Sequence, residues 1–272
     1  MKYCRCERAG RIHYGLIEGD DVALLDGAPF SGGRTTGERL RLAEVRLMAP
    51  VEPPNVFAIG ANYQDHIDET GSSRPERPLI FLKPTTAVIG PETPVVLPTM
   101  APDEVDYEAE LAIIIGRTAR NLPPEAAIGA VFGYTCANDI SARDCQKRID
   151  RQWTRAKGFD TFCPLGPWIE TDLSPADLPI SLRLNGQVMQ QGTTAAMVFA
   201  IPYLISYLSQ AFTLLPGTVI LTGTPAGVGM ARKPPRFLRP GDTTEVTIGG
   251  IGTLRNPIRA EGTDTVRAPC CA

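Results

Sequence analysis

The sequence has no run of about 18 apolar residues, the minimum for a membrane-spanning helix. The segment that begins it lacks the apolar core of a secretory signal peptide, so we expect a cytoplasmic protein. Charge is also scarce, with 27 Lys and Arg against 30 Asp and Glu and a net charge of −3. A near-neutral chain has no electrostatic footprint for nucleic acid or for an anionic membrane, and we expect neither as a partner.

Histidine and aromatic residues are few: the chain has 2 His, and 7% of its residues are aromatic. Seven cysteines include the patterns Cys4-x-Cys6 and Cys270-Cys271, without a second Cys-x-x-Cys. This arrangement is not typical of a secreted disulfide scaffold, and so few histidines disfavour a structural zinc site. We interpret the cysteines as reduced thiols.

Glycine and proline are abundant, with 26 and 25 residues of 272. Short apolar runs end in Gly, Pro, Asn or Asp, which is typical of strands separated by turns. The best helical pattern covers 201–213, with apolar residues near i, i+3 and i+4. Shorter helices are predicted at 63–69 and at 141–151, the latter with Ser141 as its cap. The sequence therefore predicts a β-rich α+β fold with short helices.

The first 50 residues form a pattern of their own, with short strands and a hairpin signal at Gly19-Asp20-Asp21. Prolines 50, 53 and 54 then mark a linker. We predict a small N-terminal β domain over 1–50 and a catalytic domain over 51–272. A unit of about 50 residues buries little surface alone, so it should pack on the rest.

Three acids, Asp106, Glu108 and Glu110, alternate with apolar residues at the start of an apolar run. On one strand alternate side chains share a face, so the three carboxylates would lie together. Close carboxylates beside a core repel each other unless a cation lies between them, and Mg²⁺ and Mn²⁺ prefer oxygen ligands. The alternative is a solvated edge strand whose acids pair with Lys or Arg.

Other candidates are weaker alone. Asp139 follows a predicted strand, a common place for a metal ligand or catalytic acid, although it could only cap a helix. His66 and Glu69 are one helical turn apart, as a supported general base requires, although His66 could be a surface residue. The Gly-rich loop at 221–229 could hold a carboxylate through backbone N–H groups; it lacks the Gly-Lys-Ser/Thr of a Walker loop. We interpret His13, in the N-terminal unit, as structural.

Considered as a set, these segments resemble the fumarylacetoacetate hydrolase family over about 55–250. The resemblance is carried by AIGANYQDHIDE, FLKP, VDYEAELAIIIG, GYTCANDISARD, RAKGFDTFCPLGP, LTGTPAGVG and RPGDTTEV. It implies a mixed β-sheet roll with short flanking helices, a homodimer, a small 2-oxo acid as substrate, and Mg²⁺ or Mn²⁺ as cofactor. Ala61 departs from the family, in which an arginine is frequent at this position.

The resemblance also implies roles for individual residues. The matched positions are Glu108, Glu110 and Asp139 for the metal; His66, Glu69 and Lys157 for catalysis; and Arg143, Gln146, Gly223 and Thr224 for substrate binding, with Lys83 near the site. Asp106 belongs to the same motif but is not expected to bind the metal directly.

The resulting prediction is hydrolysis of a C–C bond in a 2,4-dioxo acid of acylpyruvate type, releasing pyruvate and a carboxylic acid. His66, supported by Glu69, would deprotonate the attacking water, and Lys157 would stabilise the developing charge. The alternatives on the same site are oxaloacetate decarboxylation, keto–enol tautomerisation and isomerisation of an unsaturated 2-oxo dicarboxylate. A non-catalytic member that binds a metal or ligand is a further alternative, which the intact acids argue against.

Overall fold

A computed structural model describes residues 1–150 and 152–262. The strands are β1 (Lys2–Arg8), β2 (Arg11–Glu18), β3 (Asp21–Leu25), β4 (Thr35–Arg41), β5 (Arg46–Leu47), β6 (Val56–Gly60), β7 (Leu79–Lys83), β8 (Val88–Ile89), β9 (Val95–Leu97), β10 (Val105–Asp106), β11 (Ala109–Ile115), β12 (Val131–Asn138), β13 (Ser141–Ala142), β14 (Cys163–Glu170), β15 (Pro179–Leu184), β16 (Gln187–Thr193), β17 (Val219–Leu221), β18 (Thr243–Ile248) and β19 (Gly252–Ala260). The helices are α1 (Gln64–Thr70), α2 (Pro124–Ala127), α3 (Thr154–Gly158) and α4 (Ile201–Ala211), with a π-helical turn at Cys145–Ile149.

Most strands belong to one twelve-stranded sheet, whose main path runs β4-β3-β2-β1-β14-β12-β11-β17-β6-β7. A five-stranded sheet runs β16-β15-β18-β19-β9, and β10 pairs with β13. The pairs β17–β6 and β19–β9 are parallel, whereas most other pairs are antiparallel. These mixed sheets with few short helices confirm the predicted β-rich α+β fold.

Strand β11 lies in the interior of the large sheet, and all seven of its residues are buried. Leu111 and Ile113 belong to the core shared with the five-stranded sheet, while Ala112 and Ile114 belong to a second core on the opposite face. A strand covered on both faces must be apolar throughout, which explains the continuous apolar run in the sequence. Acids at the start of this strand are therefore held inside the protein.

The N-terminal strands extend the large sheet. β1 pairs with β14, with Lys2 opposite Glu170 and Tyr3 opposite Ile169. The hairpin between β2 and β3 turns at residues 19–20, where the sequence predicts it. The five cysteines in the described ranges are buried and free; Cys270 and Cys271 lie outside those ranges.

Helices α1 and α4 confirm two of the three predicted helices. The third prediction is wrong in its start, because Ser141 lies in β13 and pairs with Asp106 of β10 instead of capping a helix. The turn that follows begins at Cys145, whose N–H donates to the Asp144 side chain over 2.7 Å. No helix among the described residues is long and apolar enough to cross a membrane.

Candidate active site

The three alternating acids do not lie on one strand, which corrects the expectation from the sequence. β10 ends at Asp106 and β11 begins at Ala109, so the strand is interrupted at Glu108, and Asp106 does not join Glu108 and Glu110. Asp106 instead accepts hydrogen bonds from the N–H groups of Gly229 (2.7 Å) and Met230 (3.1 Å). The break redirects one carboxylate into a loop and leaves two at the site.

Asp139 completes a cluster with Glu108 and Glu110. One carboxylate oxygen from each residue lies within 4.8 Å of the others, and all three side chains are buried. Two hydrogen bonds join the segments that carry them: Asp139 N–H donates to the Glu108 carbonyl (2.9 Å), and Glu108 N–H donates to Asn138 Oδ1 (3.0 Å). These bonds hold the segments of Glu108 and Asp139 together. We call Glu108, Glu110 and Asp139 the acid cluster.

Two buried lysines contact the acid cluster. Lys157 Nζ lies 2.6 Å from Glu108 Oε2 and 2.6 Å from Asp139 Oδ2, and Lys83 Nζ lies 2.5 Å from Asp139 Oδ1. Burial opposes the charge of Lys157, but Asp139 and Glu108 outweigh it and raise the pKa of its ammonium. Burial likewise opposes the charge of Glu108, but Lys157 and Arg143 hold the pKa of its carboxyl well below the ordinary value.

Glu110 has different surroundings. Its Oε2 accepts a hydrogen bond from Gly223 N–H (2.7 Å), and no Lys or Arg of the described chain is in ion-pair contact with it. Burial, together with Asp139 and Glu108, raises the pKa of this carboxyl well above its ordinary value. A cation beside Glu110 would remove this penalty, and a set of three carboxylates is the donor chemistry of Mg²⁺ or Mn²⁺. The acid cluster therefore fits a divalent metal ion.

His66 and Glu69 form a hydrogen-bonded pair on α1. His66 Nδ1 lies 2.9 Å from Glu69 Oε1, and the other Glu69 oxygen accepts from Gly227 N–H (2.8 Å). A carboxylate on Nδ1 favours the tautomer with its proton there, which leaves Nε2 free to accept a proton. His66 also lines the pocket over the acid cluster.

The Gly-rich loop after β17 holds carboxylates through its backbone, but they are the chain's own. Its N–H groups donate to Glu110, Glu69 and Asp106. Gly223, predicted to meet the substrate, is thus occupied with Glu110; its φ is +96°, and a Cβ there would lie 2.8 Å from Asn62 Cβ. One loop therefore connects the acid cluster to the His66–Glu69 pair.

The pocket has a volume of about 70 Å³, with the acid cluster among its walls. Its other walls include the apolar side chains of Phe81, Trp153 and Met230 and the polar side chains of Arg143, Gln146 and Lys147. Arg143 Nη2 lies 2.7 Å from Glu108 Oε1, and its Nη1 donates to Gln146 Oε1 (2.8 Å). The predicted substrate residues Arg143 and Gln146 therefore stand together beside the acid cluster.

Thr224 also lines the pocket, whereas Lys83 contacts Asp139 from outside the lining. No sequence pattern indicated Gln190, whose Nε2 donates to Thr224 Oγ1 (2.7 Å) and whose Oε1 accepts from Ala109 N–H (2.9 Å). It lies 81 residues from Ala109, so no local pattern could reveal it. Lys147 was also missed, although it directly follows Gln146.

Comparison with known proteins adds to this geometry. Residues 55–259 match the model for the fumarylacetoacetate (FAA) hydrolase C-terminal domain, and residues 1–50 match the Rv2993c-like N-terminal model. The chain is 50% identical over 237 residues to Protein Rv2993c of Mycobacterium tuberculosis, with 86% of each protein covered. It is 46% identical over 221 residues to the mitochondrial oxaloacetate tautomerase FAHD2A of Homo sapiens, covering 79% of this chain and 70% of that protein.

A solved structure is similar over nearly the whole chain. It is described as 5-carboxymethyl-2-hydroxymuconate delta-isomerase from Mycobacterium smegmatis, with 45% identity and a TM-score of 0.88. The match covers 96% of this chain and 100% of that one. Fold and site thus define an enzyme with a β-rich roll and a buried acid cluster. The chain belongs to the fumarylacetoacetate hydrolase family.

Proposed function

We propose that the protein catalyses proton transfer at the carbon next to the keto group of a small 2-oxo acid, interconverting keto and enol forms. The observation that carries the proposal is the shared pocket, in which His66 and the acid cluster face the same space. The tautomerase and isomerase names of the similar proteins support this chemistry, because both reactions move a proton beside a carbonyl.

Glu108, Glu110 and Asp139 would hold the divalent ion, Mg²⁺ or Mn²⁺. When bound, the ion would supply a Lewis acid that stabilises negative charge on the oxygens of the 2-oxo acid. The remaining chemistry belongs to the chain.

His66 Nε2 is the base that takes the proton from carbon, and Glu69 stabilises the imidazolium that forms. The buried Lys157 ammonium adds positive charge beside the site of the developing enolate. Arg143 donates to the Gln146 carbonyl, which leaves the Gln146 amide NH₂ as a donor for the substrate carboxylate. Delivery of that proton from His66 to the enolate oxygen gives the enol, and the reverse sequence gives the keto form.

A second candidate is the C–C hydrolysis predicted from the sequence. The same His66–Glu69 pair favours it, because a base that takes a proton from carbon can also take one from water. The hydroxide would add to the distal carbonyl of a 2,4-dioxo acid, and cleavage of the C–C bond would release a carboxylic acid and the enolate of pyruvate. Protonation of that enolate would yield pyruvate.

The proposal is tested by assaying metal-stripped protein with added Mg²⁺ or Mn²⁺ on oxaloacetate and on acetylpyruvate. We expect keto–enol interconversion of oxaloacetate to depend on the metal, whereas release of pyruvate from acetylpyruvate would support the hydrolase instead. His66→Ala should lower the rate about 10²- to 10⁴-fold, the usual contribution of a general base. His13→Ala, in the N-terminal unit, is the matched control and should keep the wild-type rate. Equal rates for His66→Ala and wild type would contradict a catalytic role for His66.

We also propose that the protein is a homodimer. β7 ends the large sheet and, within the described chain, pairs only with β6; its Leu79 and Leu82 are exposed. An exposed apolar edge strand is a template for association with another chain. Light scattering at micromolar concentration should give about twice the chain mass of 29.3 kDa, and a mass near one chain would contradict the dimer.

A further inference from the structure

Lys147 is a cation of the pocket that has no carboxylate partner in the described part of the chain. It follows Gln146 in the π-helical turn and lines the same pocket as the acid cluster. The other cations in the pocket wall, Arg143 and Lys157, both lie within ion-pair distance of Glu108. Within residues 1–150 and 152–262, no carboxylate lies within ion-pair distance of Lys147.

The position of Lys147 differs from that of the acid cluster. The cluster is buried, whereas Lys147 is exposed to solvent on one side. The pocket therefore runs from a buried metal-binding end to an open end that carries a positive charge. A substrate that places its 2-oxo acid group at the cluster can extend its remaining atoms toward Lys147.

The charge of Lys147 is stabilised less than that of an ordinary surface lysine. Partial burial, with the like charges of Arg143 and Lys157, lowers the pKa of its ammonium, and Glu108 offsets this only in part. The next residue, Arg148, does not share this situation, because it forms two hydrogen bonds to Glu104 at the surface (2.9 and 3.0 Å). An anionic group of a ligand would stabilise Lys147 as Glu104 stabilises Arg148.

We propose that Lys147 binds the second carboxylate of a 2-oxo dicarboxylate substrate and so selects dicarboxylates over 2-oxo monocarboxylates. This inference rests on the proposed function and adds to it the substrate class and the residue that recognises it. A charge-assisted hydrogen bond at a partly exposed position should contribute about 10- to 100-fold in KM.

The test compares two substrates that differ only in distal charge: oxaloacetate and its 4-ethyl ester. In Lys147→Met, the KM for oxaloacetate should rise about 10- to 100-fold with a much smaller change in kcat. The preference, which is the ratio of kcat/KM for oxaloacetate to kcat/KM for the ester, should fall by the same factor. Lys147→Arg should restore most of the preference. Arg148→Met removes a neighbouring positive charge outside the pocket and should keep the wild-type preference.

Binding gives a readout that does not depend on turnover. Oxalate occupies only the 2-oxo acid end, so its calorimetric affinity for the Mg²⁺-loaded protein should change far less in Lys147→Met than the KM for oxaloacetate does. An unchanged preference in Lys147→Met would overturn this inference alone, provided that wild-type protein turns over oxaloacetate with a metal. Wild-type protein that turns over neither substrate would overturn the proposed function and this inference together.

Discussion

Asp106 and Glu110 lie four residues apart and are both buried, yet their surroundings differ. Asp106 accepts hydrogen bonds from the backbone of Gly229 and Met230, and Arg143 Nε lies 2.9 Å from its Oδ2. Glu110 accepts a hydrogen bond from the backbone N–H of Gly223, and carboxylate oxygens of Glu108 and Asp139 lie within 4.8 Å of its own. Among residues 1–150 and 152–262, the fold thus supplies Asp106 with several donors and a cation, and places no Lys or Arg in ion-pair contact with Glu110.

The comparison separates two uses of a buried acid. A buried carboxylate that the fold satisfies completely is a structural group, because its desolvation is offset by charged and neutral donors and removing a partner leaves a buried charge uncompensated. A buried carboxylate that no cation of the fold contacts favours the binding of an external cation, because that cation would offset the cost of burying the negative charge. Glu108 and Asp139 are intermediate, because each belongs to the acid cluster and is also in contact with a buried lysine.

The largest effect is expected for Glu110→Gln. The amide keeps the shape of the side chain but removes a charged ligand, so metal-dependent activity should fall by roughly 10³-fold or more, as expected when several kcal/mol of metal stabilisation are lost. The measurement is kcat/KM for oxaloacetate at saturating Mn²⁺. Activity close to wild type would remove Glu110 from the metal site.

A different result is expected for Asp106→Asn. Breaking its buried pair with Arg143 should lower the free energy of unfolding by about 3 kcal/mol or more, measured by urea denaturation. The metal ligands remain, so activity at saturating metal should fall less than in Glu110→Gln. If Asp106→Asn lost more activity than Glu110→Gln while staying equally folded, the assignment of a structural role to Asp106 and a metal-binding role to Glu110 would be wrong.

A smaller effect concerns pH. In the metal-free protein the pKa of Glu110 lies above its ordinary value of 4.5, so the folded state keeps a proton that the unfolded chain releases. The associated stability is present below about pH 4.5 and is lost as pH rises through the folded pKa. Glu110→Gln does not titrate, so its urea midpoint should lack this decline. Parallel pH curves for the metal-stripped wild type and the variant would contradict the shift.

The sequence predicted much of this architecture. The apolar run after Glu110 identified a strand, and its complete burial is the reason that the run is apolar on both faces. The His66–Glu69 pair followed from helical spacing, and the structure places the two side chains in contact. The position of Asp139 after a predicted strand made it a weak candidate, and the family resemblance matched it to the third metal ligand and separated Asp106 from the ligands.

The rest depended on contacts that sequence patterns do not contain. Period-two alternation placed Asp106 beside Glu110, because nothing local signals the break between β10 and β11. Ser141 was expected to cap a helix, but pairing with β10 determines its conformation. Gln190 lies on β16 of the five-stranded sheet, so its contact with Ala109 of β11 joins two sheets and leaves no local pattern. Lys147 has no carboxylate partner in the described chain, and this depends on which acids the neighbouring cations bind, as Arg148 binds Glu104.

The most direct test of the central claim is calorimetric titration of Mn²⁺ into metal-stripped wild type, Glu110→Gln and Asp106→Asn. The account predicts one ion per chain in the wild type, with affinity reduced about 100-fold or more in Glu110→Gln and by no more than about tenfold in Asp106→Asn, which corresponds to about 2.7 and 1.4 kcal/mol. Wild-type affinity in Glu110→Gln would contradict the claim that the acid cluster of Glu108, Glu110 and Asp139 holds the catalytic metal.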